Sequence, residues 1–544
     1  MIKITMQNEL SSALPHITGF EKTYVHDLIW EKIDRWSDHI ALMCSVTGKS
    51  YTYSQLRTVC GKLATSLRKN NLRPRDTIAI VLPNIPELAI IVLAANEAGL
   101  CTTLVNPAYT EHEIRKQLVN ADVQAVFTFP AKLADIQASI TNNSKIKLPI
   151  ILVNDTAADA APISGIIKFD DLVCEDIEEF SISQEIGVDY EDTVLLLYSS
   201  GTTGLPKGVE LSHKNLVANI LQFSHPVVFP GRPTTKDYQD IIPVILPMFH
   251  SYALIYIIYG YLRAGAKLVC MPRFSVNEFI KLLENHQFTM LHTVPPIIQI
   301  MVSNERIKPH HIAHVEVVIV AAASIGKETI AKFQNRFKNT RLIQGYGASE
   351  LSPVATCGTL DTPPSSCGFL IPNTKIRIVG YEDNNLGKNL PPHNVGEIYV
   401  QGPQVMKGYY KNPEATASTM DGDWYKTGDL GYYTEDSMLY ITGRLKEIIK
   451  VNGYQVAPAE LEEVIRKCDK VKDVAVIGVA YDKSGEVPKA FIVPVSKENI
   501  SEDEIKKFVA KRVTKYKQLG YVQFITSIPK NASGKILRRE LEKL

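Results

Sequence analysis

Five short segments combine glycine with hydroxyl, carboxylate or amine side chains, and each could act on a charged substrate. The richest is YSSGTTGLPKG at 198–208. Its serines and threonines offer hydroxyls, and its glycines allow close backbone approach and exposed N–H groups. Such a loop can wrap phosphate oxygens, and Lys207 adds a positive charge. A flexible surface turn would have the same composition, and the order is not that of a Walker A loop. QGYGASE at 344–350 sets an aromatic ring and a carboxylate beside two glycines, and WYKTGD at 424–429 ends on Asp429 after a tight turn. GRLKEIIK at 443–450, NGYQ at 452–455 and PKNASGK at 529–535 contribute an arginine and several lysines. Taken singly, Glu350 and Asp429 read as loop carboxylates, and the lysines as solvated surface charges.

These segments need elements to hold them. Apolar runs at 77–82, 123–129, 150–153, 193–197, 241–246, 267–271, 289–294 and 315–320 read as buried strands. Helical patterns lie between some of them, at 87–98 with Pro86 in the first turn and at 276–284. Strands alternating with helices imply an α/β fold of parallel-rich sheets covered on both faces. From about 375 to 444 the character changes to short strands and polar turns (KIRIV, GEIYVQG, SMLYITGR), a smaller barrel-like β part. The stretch 445–544 reads as a small α+β domain, with a capping box at Ser501 and Glu504 opening a helix at 502–513. The expected division is therefore 1–444 and 445–544.

A chain of 544 residues exceeds what one hydrophobic core usually supports. Its 59 basic and 58 acidic residues give no electrostatic case for nucleic acid. The eight cysteines form no C-x-x-C pair, which argues against a zinc or thioredoxin-like site and for free buried thiols in a reducing compartment. The N-terminal residues lack the apolar core of a secretory signal. Residues 241–262 carry no Asp, Glu, Lys or Arg and are long enough to span a bilayer, but Pro243, Pro247 and His250 break one continuous helix. A buried strand, a polar turn and a buried helix are expected there, with no membrane span. The final Glu-Lys-Leu is one residue from a peroxisomal address, and the Glu fits it poorly. The expected location is the cytoplasm, with the peroxisome as the alternative.

Taken in order along the chain, the five segments resemble the adenylate-forming superfamily of acyl-CoA synthetases, 4-coumarate–CoA ligases, insect luciferases and peptide-synthetase adenylation domains. PMFHSYAL at 247–254 and GYQVAP at 453–458 are most similar to the coumarate-ligase and luciferase branch. The resemblance implies ATP, Mg²⁺ and coenzyme A as reactants and cofactor. It implies that Ser199, Ser200, Gly201, Thr202, Thr203 and Lys207 hold phosphates, and that Gln344, Gly345, Tyr346 and Ser349 form the adenine and phosphate wall. Thr202 and Glu350 would hold magnesium, Asp429 and Arg444 the ribose, and Lys535 would be the adenylation lysine. Lys446 falls at the interdomain hinge of a mobile small domain. Lys450, Gly453, Gln455 and Arg273 fall on the coenzyme A side. Departures are Gly443 where many relatives carry Asp and Asn452 where they often carry Lys.

The acyl pocket implied by the same resemblance is lined by His250, Ser251, Tyr252, Ile255 and Tyr256 on one side, with Ala321, Ala322 and Ala323 opposite. Ile255 stands where many coumarate ligases have Asn, Val320 replaces a Lys of some relatives, and Ala348 replaces a common Met. Relatives usually carry Gly where Ala322 stands. The expected substrate is therefore a hydrophobic carboxylic acid, a medium- or long-chain fatty acid ahead of an aromatic one. His250 also reads as a satisfied buried histidine. An adenylating enzyme that loads a carrier protein and a luciferase-like oxygenase are the alternatives, and monomer and homodimer are both compatible with the sequence.

Overall fold

The computed structural model describes all residues except 1–2, 5–7, 142, 154–164, 175–186, 200–205, 324, 383, 452–453, 482–484, 497–499 and 532–533. An eight-stranded sheet lies at its centre. Its order is Gly408–Tyr409, Lys207–Ser212, Thr193–Ser199, Cys101–Leu104, Thr77–Val81, Val123–Thr128, Ile150–Leu152, Ile166–Lys168. Neighbours from Thr193–Ser199 to Ile166–Lys168 pair parallel, and the first two strands join antiparallel. Thr77–Val81 is buried at every residue, as a strand covered on both faces must be. The helix Pro86–Glu97 is buried on all sides, so it lies inside the large domain rather than on its surface.

Two further sheets follow the same logic. Ile241–Val244, Lys267–Cys270 and Ile40–Cys44 pair parallel, with Ser50–Thr52 antiparallel at the edge. Met290–Thr293, Val317–Val320 and Arg341–Gly347 also pair parallel, in a register that sets His292 level with Ile319 and Ile343. The carboxyl end of Arg341–Gly347 carries the glycine-rich segment, the position at which open parallel sheets receive ligands.

The β-rich part is a seven-stranded antiparallel sheet, and among the described residues its strand order does not close on itself. It reaches beyond 375–444. Glu9–Ser11 pairs with Lys375–Val379, and Lys3–Ile4 pairs with Glu9–Ser11. The N-terminal strands are too short and too polar to announce themselves in the sequence.

The small domain wraps Val471–Tyr481 and Gly485–Pro494 with Ile449–Val451, Tyr454–Val456 and Tyr521–Phe524. Val474 and Val476 face one core with Leu461 and Ile465, while Ala475 and Ile477 face another with Leu541, the alternation of a strand covered on both sides. Ser501 Oγ accepts the Glu504 N–H at 3.2 Å, as its spacing predicts, but that helix is Glu502–Ala510, shorter than the expected 502–513.

The apolar run at 241–262 forms the strand Ile241–Val244, a turn, a π-helix Tyr252–Tyr259 and a short α-helix Gly260–Arg263. Among the described residues no helix is long and apolar enough to cross a membrane. Seven of the eight cysteines are free and buried; Cys174 is free and exposed.

Candidate active site

A cavity of about 1350 Å³ runs between the large domain and the small one. At one end, Asp429 sits on Trp424–Tyr433 directly opposite Arg444 on Leu439–Arg444. Arg444 Nε donates to Asp429 Oδ1 at 2.8 Å, and the Tyr346 hydroxyl donates to Asp429 Oδ2 at 2.8 Å. Gly428 turns the chain before Asp429 with φ +71°, and its N–H donates to Glu397 Oε1 at 3.1 Å. Burial and then the Asp429 charge push the Tyr346 phenol far up, so it stays a donor.

Next to this lies the turn Ser349–Leu351. Ser349 Oγ is 3.2 Å from Ser251 Oγ, and Glu350 Oε1 accepts from the Tyr409 hydroxyl at 2.9 Å. Lys207 Nζ stands 4.8 Å from the centre of the Tyr409 ring, so Tyr409 couples Lys207 and Glu350. Tyr409 was not recognisable in the sequence; it reaches the site because Gly408–Tyr409 pairs with Lys207–Ser212. Gln344, 6% exposed, donates to the Pro364 carbonyl at 2.6 Å. Gly345 lies close to the Thr356 carbonyl, and a Cβ on Gly347 would lie 1.8 Å from that of Pro353. Ser200, Gly201, Thr202 and Thr203 lie outside the described residues, as do Gly453 and the Ser199 side chain. The Ser199 backbone pairs with Lys207.

From the small domain, Lys535 lines the cavity. Its N–H donates to Asn531 Oδ1 at 2.8 Å, and the loop turns at Gly534 with φ +81°. A Cβ on Gly534 would lie 2.7 Å from Pro296 Cγ, so the loop is pressed against the large domain there. Burial and the nearby Arg444 lower the Lys535 ammonium to about 8, while Glu447, Asp429 and Glu350 draw it back up. Lys446 is exposed at the cavity edge in the turn Leu445–Glu447. Lys450 does not line the cavity: it is exposed on Ile449–Val451, opposite Gln455, and its N–H donates to Glu486 Oε2 at 2.6 Å. Arg273 is exposed and also outside the cavity. Among the described residues the structure thus brings Lys535, and not Lys450, Gln455 or Arg273, to the cavity.

At the other end the cavity is lined by His250, Ser251, Tyr252, Tyr256, Ala321 and Ala322, with Ile319 and Ile343 beneath. His250 Nδ1 accepts the Tyr252 N–H at 3.3 Å, and burial lowers the ring to about 4, so it is neutral. Two expected lining residues are not there. Ile255 is fully buried away from the cavity, because Tyr252 and Tyr256, four apart, take the helix face that looks into it. Ala323 is half-buried and does not line the cavity, next to Ala322, which adopts φ +70° in the left-handed region. His292, absent from the sequence reading, lies behind this wall: Nδ1 is 3.1 Å from the Tyr252 hydroxyl and Nε2 is 2.8 Å from that of Tyr261.

Among the described residues no group of three or more His, Cys, Asp or Glu could hold a metal by itself. Glu350, a nearly buried carboxylate on the cavity, fits a magnesium ion that takes its other oxygens from phosphates and water.

A cavity lined by Lys207, Arg444 and Lys535 beside Glu350 and Asp429, between a parallel-rich large domain and a small α+β domain, is a site for a charged ligand in a two-domain α/β protein. The family model described as AMP-binding enzyme matches residues 29–410, and that described as AMP-binding enzyme C-terminal domain matches 460–535. The chain is 36% identical to 4-coumarate–CoA ligase 1 of Arabidopsis thaliana over 97% of its own length and 94% of that protein. It is 26% identical to MatB of Rhodopseudomonas palustris and overlays its ATP-bound structure with a TM-score of 0.83, covering 96% of this chain and 99% of that one. On the ligand-free form of MatB the TM-score is 0.75, at coverages of 96% and 98%. The chain belongs to the AMP-binding enzyme family, the AMP-forming acid–thiol ligases that work with ATP and coenzyme A.

Proposed function

We propose that this enzyme activates a hydrophobic carboxylic acid in two half-reactions. First, a carboxylate oxygen attacks the α-phosphorus of ATP, the bond to the β-phosphate breaks, and pyrophosphate leaves. Second, the thiolate of coenzyme A attacks the acyl carbon and AMP leaves. The observation that carries this is the convergence of Asp429, Arg444, Tyr346, Glu350 and Lys535 on one cavity.

In this proposal Tyr346 stacks on adenine, and Asp429 with Arg444 binds the ribose. The segment 199–203, with Lys207 and Ser349, holds the phosphates, and Gln344 and Gly345 complete the wall beside them. Glu350 and Thr202 hold magnesium, which when bound neutralises phosphate charge. Lys535 donates to the oxygens of the α-phosphate as negative charge builds there. A preorganised donor of this kind typically contributes roughly 10²–10³ in rate. His250 lines the same cavity as these groups. Neutral, it can orient the attacking carboxylate without forming a competing ion pair.

The divergent positions of Lys535 and Lys450 support a rotation of 445–544 relative to 1–444 about Lys446 between the two steps, a form of conformational gating. After it, Lys450, Gly453 and Gln455 face the acyl-adenylate, and Arg273 meets a phosphate of coenzyme A. The cavity size and apolar floor at Ile319 and Ile343 support a hydrophobic acid, fatty or aromatic. The buried free thiols support a cytoplasmic location. The test is pyrophosphate release across fatty and aromatic acids, with and without coenzyme A. Turnover that requires both a hydrophobic acid and coenzyme A is expected; release indifferent to coenzyme A would point instead to carrier loading.

A further inference from the structure

The chain crosses from the large domain to the small one at 444–447, and its side chains change anchor on the way. Arg444 is fixed to the large domain, its Nε donating to Asp429 Oδ1 at 2.8 Å across the antiparallel pair. Glu447 is fixed to the small domain, where Arg538 Nε donates to its Oε2 at 2.8 Å. Lys446 between them is exposed, and Ile449 is already in the core of the small domain with Val456 and Leu461. The Glu447 and Arg538 side chains are only 24% and 15% exposed, so salt screens the pair little.

Glu447 is not what attaches Arg538 to the small domain. Arg538 Nη1 already donates to Glu462 Oε1 at 2.7 Å and to the Val476 carbonyl at 2.8 Å. The loop that carries Lys535 is closed on itself and on the same sheet. The Leu537 N–H donates to the Pro529 carbonyl and the Asn531 N–H to the Lys535 carbonyl, both at 2.9 Å, and Lys530 Nζ donates to Asp473 Oδ2 at 2.6 Å. What the Glu447 bond adds is a link from this loop to the domain crossing, 91 residues earlier in the chain. Without it the first fixed point after Arg444 is Ile449; with it the free length is Leu445 and Lys446. Lys450 needs no such link, because it follows the crossing directly on Ile449–Val451. Lys535 returns to the crossing through Arg538 and Glu447, and its loop otherwise meets the large domain at Gly534, against Pro296.

We propose that Glu447 is a positioning residue for the adenylation step: by holding Arg538 it joins the pivot and the Lys535 loop into one rigid piece, and so sets where the Lys535 ammonium meets the α-phosphate. This rests on the acid activation and the rotation about Lys446 proposed above, and it names what transmits that rotation to Lys535. The test uses the full chain with Glu447→Gln, which keeps the size of the side chain and removes its charge. The two half-reactions are followed separately at about pH 6.5, where Lys535 is charged with or without the pull of Glu447.

A catalytic group misplaced by about 1 Å can cost 10²-fold, so adenylate formation should fall roughly 10- to 100-fold. Transfer from chemically prepared adenylate to coenzyme A should stay as in the wild type. In a Lys535→Ala background the same substitution should cost nothing further, because its effect passes through Lys535; a merely structural role would add to the loss. Hydrogen exchange on Pro458–Arg466 should not move, since Glu462 and the Val476 carbonyl keep Arg538 in place. Glu447→Asp, which keeps the charge and falls one methylene short of Arg538, should show the same split and decides the matter should Glu447→Gln fail to fold. Adenylation at the wild-type rate, equal losses in both half-reactions, or a loss that persists in the Lys535→Ala background would overturn the link while leaving acid activation intact. No pyrophosphate from any acid with the wild type would overturn both.

Discussion

Asp429 divides its two carboxylate oxygens between two partners, Arg444 directly across the antiparallel pair and Tyr346 at the end of a parallel strand, each at 2.8 Å. Three sheet segments are thereby joined at one carboxylate. Replacing it by its amide keeps the shape and removes the charge. Hydrogen bonds to charged groups contribute roughly 1.5–3 kcal/mol, so Asp429→Asn should weaken ATP binding about 10- to 150-fold. Calorimetric titration with ATP checks this, and an unchanged affinity would remove Asp429 from the ribose site.

Lys535 and Lys450 should separate the half-reactions. Lys535→Ala is expected to slow acyl-adenylate formation by roughly 10²–10³ while still passing acyl groups from chemically prepared adenylate to coenzyme A. Lys450→Ala should show the reverse. Single-turnover assays of each step, run side by side, distinguish the two; equal losses in both steps for both variants would rule out the rotation.

The Lys535 ammonium, lowered to about 8, sets a pH limit. The charged form is the useful one, and it is lost as pH rises through that value. For adenylation, kcat/KM should therefore fall about tenfold per unit above it, reporting the free enzyme. Bound ATP adds negative charge and moves the descending limb of kcat to higher pH. Lys535→Arg should abolish the limb at whatever activity remains, because arginine does not deprotonate in this range.

Gly347 tolerates no side chain. A Cβ there would lie 1.8 Å from a main-chain oxygen, which no rotamer change relieves. Gly347→Ala should displace Tyr346 and Ser349, costing about 3 kcal/mol or more in urea unfolding and abolishing ATP binding. Gly326, with open space around its Cβ and φ outside the left-handed region, serves as the control position.

In the small domain Arg538 donates to Glu447 at 2.8 Å and to the buried Glu462 at 2.7 Å. Burial alone would raise Glu462, but Arg538 and Arg466 outweigh it and hold the carboxyl below the usual range. A depressed carboxylate contributes stability that is present above its unfolded value and lost as pH falls through its folded one. The small domain should therefore loosen in acid below the ordinary glutamate range. Arg538→Met, which leaves Glu462 only the Arg466 contact at 3.6 Å and the Val476 N–H at 3.0 Å, should destabilise it by about 1.5–3 kcal/mol at neutral pH and lessen the acid dependence. Hydrogen exchange on Pro458–Arg466 follows both effects.

The nucleotide end of the site was readable from sequence because each of its segments gathers glycine with polar side chains, and such clusters sit at strand ends. The buried strands were readable from apolar runs such as 77–82, of which Thr77–Val81 forms a fully buried strand. What was missed depends on contacts between distant strands and helices. His292 lies in an apolar strand and gains its meaning only from Tyr252 and Tyr261, 40 and 31 residues earlier. Tyr409 enters through a two-residue strand. Ile255 was placed in the pocket by resemblance alone, whereas Tyr252 and Tyr256 take the cavity face of their helix and Ile255 is fully buried. Ala322 and Ala323 look alike in sequence, and only the positive φ of the first separates them.

The pairing of Glu9–Ser11 with Lys375–Val379 has a consequence in time. At about 5–20 residues per second, a ribosome needs roughly 20–75 s to travel from the first of these strands to the second. Throughout that interval the early strand is a strand without its partner. Its brevity and its polar residues, Glu9 and Ser11 within it and Asn8 and Ser12 beside it, are what keep so exposed an edge from recruiting another nascent chain.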